Sequence, residues 1–240
     1  MLRLKDVRMR SQTGYKPQSR EKTARRASSS AAIELRPPPV TESRERLLAA
    51  ASHFFLGGSY HGVGIAEICA AASVQKGTFY HFFPSKTDLL LAVIERRVGE
   101  IEETVNKIAA GKVPAARKIV QLFTVSQQSA GDTAKDMPRD AMPPGYFLGN
   151  IVLELASSNP PVQAAAKTAF SRWIKSIALI VAQLIAEEKL STLDPEDAAE
   201  AVLALVQGGA VMASAYNEPR KMRAFGNIAL TLLRASGNPA

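Results

Sequence analysis

Two interruptions constrain this chain more than any other feature: the pair Gly57-Gly58 and the single Pro84. Between them, apolar residues recur at helical spacing only in short segments. After Gly62-Val63-Gly64, the residues Ile65, Ile68, Cys69 and Ala72 fall at i, i+3, i+4 and i+7, which predicts a short helix packed on one face. A break near Ser73 leads to a third helix from about Gln75 to Phe83, where Pro84 forces a stop because the residue before a proline is pushed out of the α region. Upstream, Thr41 reads as an N-cap with Glu42 and Glu45 in the first turn. Leu47, Leu48, Ala51, Phe54 and Phe55 carry that first helix to Gly57-Gly58. Downstream, Ser85-Lys86-Thr87-Asp88 has the form of a capping box and opens a fourth, longer helix bearing Leu89, Leu90, Val93 and Ile94.

Three short helices with a tight turn before the third describe a helix-turn-helix, whose last helix enters the DNA major groove. At 3.6 residues per turn, Phe79, Phe82 and Phe83 share an arc of roughly 100°, and Gly77, Thr78, Tyr80 and His81 point away from it. Such a face needs a small residue where the backbone nears a phosphate, and Gly77 supplies one. Gln75 stands at the helix entrance, and Lys76 offers a point charge to the groove. Thr78 suits a phosphate or a base edge, and Tyr80 and His81 suit phosphates. Lys86, at the start of the fourth helix, is placed to clamp a flanking strand together with backbone amides. Taken singly, each of these residues also fits a solvated surface group, and Tyr80 also fits a cap over the core.

As an ordered set they are more specific. Ser73-Val74-Gln75-Lys76-Gly77-Thr78-Phe79-Tyr80-His81-Phe82-Phe83-Pro84-Ser85-Lys86 resembles the recognition-helix signature of TetR-type regulators. Arg44-Glu45-Arg46-Leu47-Leu48 through Phe54-Phe55, and Ile65-Ala66-Glu67-Ile68-Cys69, resemble the same family's first and second helices. The resemblance covers Thr41 to Glu95 and implies DNA binding through Lys76, Gly77, Thr78, Tyr80, His81 and Lys86. Two positions depart from the pattern. Gly64 stands where Ser or Thr usually caps the second helix, which removes a phosphate contact. Ser73 stands where the turn usually has glycine, so a left-handed backbone there would strain a residue with a β-carbon.

Charge adds less than its sum suggests. The formal net charge is +8, yet residues 1–40 hold ten basic side chains against three acidic ones, leaving twenty against nineteen in the remainder. The segment 1–40, with Ser28-Ser29-Ser30 and Pro37-Pro38-Pro39, has too few large apolar residues for a core and reads as a disordered basic tail. It fits a phosphate-contacting arm, a solvated extension, or a start codon placed upstream of a true one such as Met9. It has no apolar stretch of signal-peptide type, so a cytoplasmic protein is expected. No uninterrupted apolar run reaches membrane-spanning length, the longest plausible one being Ile177 to Ala182. Cys69 is the only cysteine, and His53, His61 and His81 lie in different segments, so neither a metal site nor a cofactor has support. An enzyme is not expected either. The chain lacks a Gly-x-Ser-x-Gly elbow, a phosphate-binding glycine loop and a His/carboxylate cluster.

The rest of the chain is helical by periodicity. Helices are expected at about Pro114–Gln128, Pro144–Ser157, Pro160–Glu188, Pro195–Ala215 and Pro219–Ala235, the starts at Asn159-Pro160 and Asp194-Pro195 combining an N-cap with proline at the first position. Ala130 to Pro144 reads as a long exposed loop or lid. The family resemblance implies a ligand pocket and a dimer interface in this part. By that resemblance the last two helices pack against their symmetry mates in a four-helix bundle through Leu205, Gly208, Gly209 and Met212, among neighbours such as Ala201, Leu203, Val206 and Val211. A purely intrachain core is the alternative. Gly145-Tyr146-Phe147-Leu148-Gly149-Asn150 with Leu153-Glu154-Leu155 resembles a branch of the family that often has Gly-Cys-x-x-Gly-Asn. Tyr146 replaces the cysteine, so thiol sensing is not carried over. Phe123, Tyr146, Phe147, Asn150 and Trp173 are the candidate pocket residues, suited to a small, largely apolar or aromatic effector held non-covalently.

The expectation is therefore an all-α protein with a basic tail at 1–40, a helix-turn-helix domain at 41–95 and a helical ligand-binding and dimerisation domain at 96–240. Its expected function is that of a DNA-binding regulator, a ligand-released repressor acting as a homodimer on a pseudo-palindromic operator. An activator or an architectural DNA-binding protein using the same helix-turn-helix is the alternative.

Overall fold

The computed structural model describes residues 40–57, 59–125 and 147–237, and among these every regular element is a helix. They are α1 (Val40–Gly57), α2 (Ile65–Ala71), α3 (Lys76–Phe82), α4 (Lys86–Ala110), α5 (Ala115–Leu122), α6 (Phe147–Leu155), α7 (Pro160–Glu188), α8 (Pro195–Ala215) and α9 (Lys221–Gly237). The basic tail at 1–39, the stretch 130–144 and Tyr146 lie outside the described residues.

Local chemistry explains most helix ends. Asn159 Oδ1 accepts the amide of Val162 at 3.3 Å, and Asp194 Oδ1 accepts those of Glu196 and Asp197 at 2.9 and 3.0 Å, each ahead of a proline in the first turn. Three helices close with a residue in the left-handed region that is not glycine: Ser73 (φ 52°), Lys189 (φ 57°) and Asn217 (φ 51°). In each case the next amide reaches back to a carbonyl five residues earlier: Val74 to Cys69, Leu190 to Ile185 and Glu218 to Ala213. That bond is the outer one of the Schellman motif.

Some boundaries differ from the sequence expectation. Thr41 stands one residue inside α1 rather than capping it. The helix expected to run to Gln128 ends at Leu122, because the amide and the hydroxyl of Thr124 both bond to the Gln121 carbonyl at 2.9 Å and tighten the chain into a turn. α9 starts at Lys221, after a turn in which the carbonyls of Glu218 and Pro219 accept the amides of Lys221 and Met222.

α4 is the spine. Its first turns bury Leu89, Leu90, Val93 and Ile94, and its later turns bury Val98, Ile101, Val105 and Ala109. The expected boundary between domains at 95/96 falls inside this helix. Trp173 on α7 donates from Nε1 to the Val98 carbonyl at 3.3 Å, and Arg172 bridges Glu95 and Glu102. Lys118 is buried, and its ammonium is satisfied by the Ala109 carbonyl and Gln183 Oε1, both at 2.7 Å. α5 and α9 approach closely at Gly226, where an added Cβ would meet Phe123 at 3.1 Å and the Val120 backbone at 3.2 Å.

The expectation about apolar length needs correction. As helices, α7 and α8 are each long and apolar enough to cross a membrane by length and composition, with mean hydropathies of 1.4 and 1.5 over 18 residues. Scattered polar residues among the alanines break up the apolar runs, so the length shows only in the average over a whole helix. In the fold each helix buries one face, through Val162, Ala169, Trp173, Ile180 and Leu184 on α7 and Ala199, Val202, Leu203 and Ala210 on α8. That one-sided burial is how a core helix of a packed unit looks.

Candidate nucleic-acid interface

The helix-turn-helix rests on a core of Leu47, Leu48, Ala51, Phe55, Ile68, Cys69, Phe79, Phe83 and Leu90. Phe79 is fully buried and Phe83 nearly so, with Phe82 half-buried beside them, so the aromatic arc of α3 faces inward. The opposite face is open. Gln75, Lys76, Gly77, Tyr80 and His81 are exposed, Tyr80 by 53%, and Thr78 is half-buried. The Tyr80 ring stands edge-on to Phe79 at 5.2 Å and the His81 ring edge-on to Phe82 at 5.1 Å, so both are steered outward by the buried aromatics below them. A Cβ on Gly77 would meet nothing within 4 Å, so the chain's own packing does not require glycine there.

The turn before α3 has the left-handed backbone at Ser73 that its sequence disfavours, and Arg46 Nη2 on α1 braces it by donating to the Ser73 carbonyl at 3.4 Å. Gly64 is the extended N-cap of α2 and has no side chain to offer. The Glu67 carboxylate still takes the Gly64 amide at 2.6 Å, half of a capping box. Cys69 is 4% exposed, and burial pushes its thiol pKa up against the pull of nearby Lys76.

Lys86 is placed differently from its expected outward clamp. Its ammonium donates to the carbonyls of Tyr60 and Val63 and lies 4.2 Å from the centre of the Tyr60 ring. Burial lowers its pKa, against Glu154 and Glu67. Two of its three donors are thus committed to the turn between α1 and α2. Ser85 caps α4 by accepting the Asp88 amide at 3.1 Å.

That same turn is gripped from a distant part of the chain. Glu154 on α6 accepts from Ser59 Oγ at 2.5 Å and from the amides of Tyr60 and His61 at 3.0 Å each. Burial alone would raise the Glu154 pKa. The bonds from Ser59, His61 and Tyr60, with the His61 side chain nearby, outweigh burial and hold it below the ordinary glutamate value. Thr87 Oγ1 sits 3.1 Å from the Tyr60 hydroxyl and 3.5 Å from Asn159 Nδ2. None of these partners was read as functional in the sequence. The available signal is that Glu154 is the one charged residue of a mostly apolar α6, Phe-Leu-Gly-Asn-Ile-Val-Leu-Glu-Leu.

The four candidate pocket residues that are described lie just after α5, on α6 and on α7. Phe123 is fully buried against Gly226. Phe147 is buried in α6, and Asn150 is half-buried one turn on. Trp173 lines a small cavity of about 40 Å³ with Ile101, Val105, Ile177 and Leu203. Of the candidate dimer residues, Leu205, Gly208 and Met212 are exposed on one side of α8, and a Cβ on Gly208 would meet nothing within 4 Å. Gly209, about 100° round the helix from Gly208, faces α9, where a Cβ would lie 2.9 Å from the Phe225 ring of the same chain.

Known proteins place this arrangement. Residues 47–93 match the profile of bacterial regulatory proteins of the tetR family, and residues 130–228 match that of a tetracyclin repressor-like C-terminal domain. The chain is 27% identical over 191 residues to the transcriptional regulator AcuR of Cereibacter sphaeroides, covering 78% of this chain and 84% of that one. It is 43% identical to the HTH-type transcriptional activator FasR of Mycolicibacterium smegmatis over 63 residues, 26% of this chain and 29% of the other. The crystal structure of regulatory protein TetR from Rhodobacter sphaeroides has the same fold, with a TM-score of 0.67 at 23% identity over 79% of this chain and 97% of that one. With a three-helix head whose polar aromatic face is turned outward and a helical C-terminal part, both matched by the family's profiles, the chain belongs to the TetR family of DNA-binding transcriptional regulators.

Proposed function

We propose that the protein is a cytoplasmic, ligand-released repressor that binds a pseudo-palindromic operator as a homodimer, with residues 41–95 as the reading head and 96–240 as the ligand-binding and dimerisation part. The observation that carries the DNA contact is the outer face of α3. There Lys76, Tyr80 and His81 surround a glycine whose missing side chain relieves nothing inside the protein. A backbone left bare toward solvent suits close approach to a phosphate.

Dimerisation is supported by a second outward face of opposite chemistry. Leu205, Val211, Met212 and Tyr216 on α8 and Ile228 and Leu232 on α9 are each at least 38% exposed. A lone protomer rarely leaves such an apolar area to water. Two heads on one twofold axis would meet successive major grooves about 34 Å apart. For the effector, the mostly apolar lining beside Trp173 is the support. An effector would release DNA only through preference for a state whose two heads no longer match the operator. The apolar lining suits a neutral, largely apolar or aromatic compound.

Footprinting on the sites recovered by genome-wide mapping tests the reading: a protected pseudo-palindrome supports it, and the absence of any protected site overturns it. Activation is a second reading, favoured by the FasR match, since the similar 63 residues are shared with a protein described as an activator. A reporter driven by the mapped promoter, with and without the protein, separates the two by the sign of its change.

A further inference from the structure

The turn between α1 and α2 presents two successive amides, those of Tyr60 and His61, and the hydroxyl of Ser59 toward one point. Ser59 Oγ also accepts the His61 amide at 3.1 Å, which fixes the hydroxyl in place. Converging backbone N–H groups of this kind form an anion-binding nest. In this protein the anion is the Glu154 carboxylate, more than ninety residues away in sequence. The carbonyl side of the same turn holds the Lys86 ammonium through Tyr60 and Val63. The turn is therefore pinned between a carboxylate of α6 and the first residue of α4, directly after α3. α6 begins with Phe147 and carries Asn150, both candidate effector contacts, and buries Leu148, Ile151 and Leu155 on either side of the Glu154 turn.

We infer that Glu154 is a positioning residue for operator binding: it latches the helix-turn-helix to α6 and sets the angle at which α3 is presented to DNA. This rests on the operator reading above. One short helix carries both the latch and the candidate effector contacts, so a shift of α6 withdraws a single carboxylate from three donors at once. The head then keeps its own fold and core but loses its fixed orientation. A dimer whose heads still ride on α4 but are less firmly set against α6 binds any one half-site as before. It loses affinity for two half-sites at a set spacing, because ordering the heads must then come out of the binding free energy.

The test uses the full chain and the mapped operator duplex, at native spacing and with one and two base pairs inserted between its half-sites. Glu154→Ala is expected to weaken binding to the native duplex by about tenfold, the loss of hydrogen bonds to a charged group. The inserted duplexes should lose much less, so that the preference for native spacing collapses. Amide hydrogen exchange at Tyr60 and His61 should quicken by a similar factor, with helix content unchanged. Ser59→Ala, which removes one donor and cannot unfold the core, should fall between the parent and Glu154→Ala in both measurements. Parent-like spacing preference and exchange in Glu154→Ala overturn the inference. So does an equal loss on every duplex, which marks simple destabilisation. If the parent protein itself binds no mapped duplex, the operator reading falls. The exchange rates at Tyr60 and His61 still decide then whether Glu154 holds the turn, and unchanged rates overturn the latch.

Discussion

Among the described residues, the outer face of α3 and the outer face of α8 and α9 are both left uncovered, and they differ in kind. On α3 the exposed groups are Lys76, Tyr80 and His81 around an open Gly77; on α8 and α9 they are Leu205, Val211, Met212, Ile228 and Leu232 around an open Gly208. A polar, hydrogen-bonding face answers a polyanion, and an apolar face answers another apolar face. The pair Gly208 and Gly209 makes the contrast within two residues. The first leaves space that none of the described residues occupies, and the second is needed so that Phe225 of α9 can close on α8. A glycine thus points to a partner only where the chain's own atoms do not explain it.

The sharpest way to break the comparison is to collapse one of the inner faces that hold the outer ones in place. Phe79→Ala removes the fully buried ring on which Tyr80 rests, and should destabilise the helix-turn-helix by about 3 to 5 kcal/mol, read by chemical denaturation. A loss below about 1 kcal/mol would mean that α3 is not anchored through Phe79. Next in size is the apolar face. Leu205→Glu with Leu232→Glu puts a carboxylate into each of two exposed apolar positions, and should turn a dimer into a monomer at micromolar concentration by light scattering, with helix content retained. A variant that remains dimeric would place the interface elsewhere.

On the polar face, Tyr80→Ala and Lys76→Ala should each weaken operator binding by roughly tenfold, with unfolding unchanged, as expected for loss of one good contact to DNA. Gly77→Ala separates the two roles of that glycine. Gly77 lies in the first turn of α3, so the change favours folding by less than the roughly 0.5 to 1 kcal/mol of a helix interior, and among the described residues no atom stands in its way. A tighter fold with weaker operator binding is the expected combination. Unchanged binding would mean that no phosphate approaches the α3 backbone there.

How much of this was legible in the sequence follows from distance along the chain. The inward arc of α3, the stop at Pro84, the burial of Cys69 and the caps at Asn159 and Asp194 all depend on residues within one or two helical turns, and spacing reads them. The strain at Ser73 was legible too, since it depends on the β-carbon of that residue alone. The inward bonds of Lys86 are not legible, because its partners are backbone carbonyls 23 and 26 residues upstream, and a carbonyl leaves no mark on residue identity. Glu154 went unread for the same reason, as two of its three donors are backbone amides. The role of Phe123 depends on Gly226 of α9, a pairing made only by the tertiary fold.

The Glu154 contact makes a smaller effect than any of these, visible through pH. Its folded pKa lies below the ordinary value of 4.5, so its contribution to stability is complete above that value and is lost as pH falls through the folded pKa. Parent and Glu154→Gln should differ in melting temperature at neutral pH and converge in acid. A difference that persists unchanged down to pH about 3 would mean that the charge of Glu154 is not what holds the turn.

The smallest effect concerns the turn that delivers α3, and it separates strain from sequence preference. Ser73, Lys189 and Asn217 all occupy the left-handed region, where a β-carbon costs on the order of 1 to 2 kcal/mol and asparagine is the residue best able to tolerate it. Glycine removes that cost but enlarges the unfolded ensemble, which takes back about 0.4 to 1 kcal/mol. Ser73→Gly should therefore stabilise the protein by roughly 0.5 to 1 kcal/mol, because Ser73 is exposed and its carbonyl, which accepts from Arg46, is kept. Asn217→Gly, at a helix end with the same Glu218 to Ala213 closure, should change stability by less. The comparison is made by denaturation of the two single variants beside the parent. If Ser73→Gly gains no more than Asn217→Gly, the turn before α3 carries no strain of its own, and the serine costs the fold nothing.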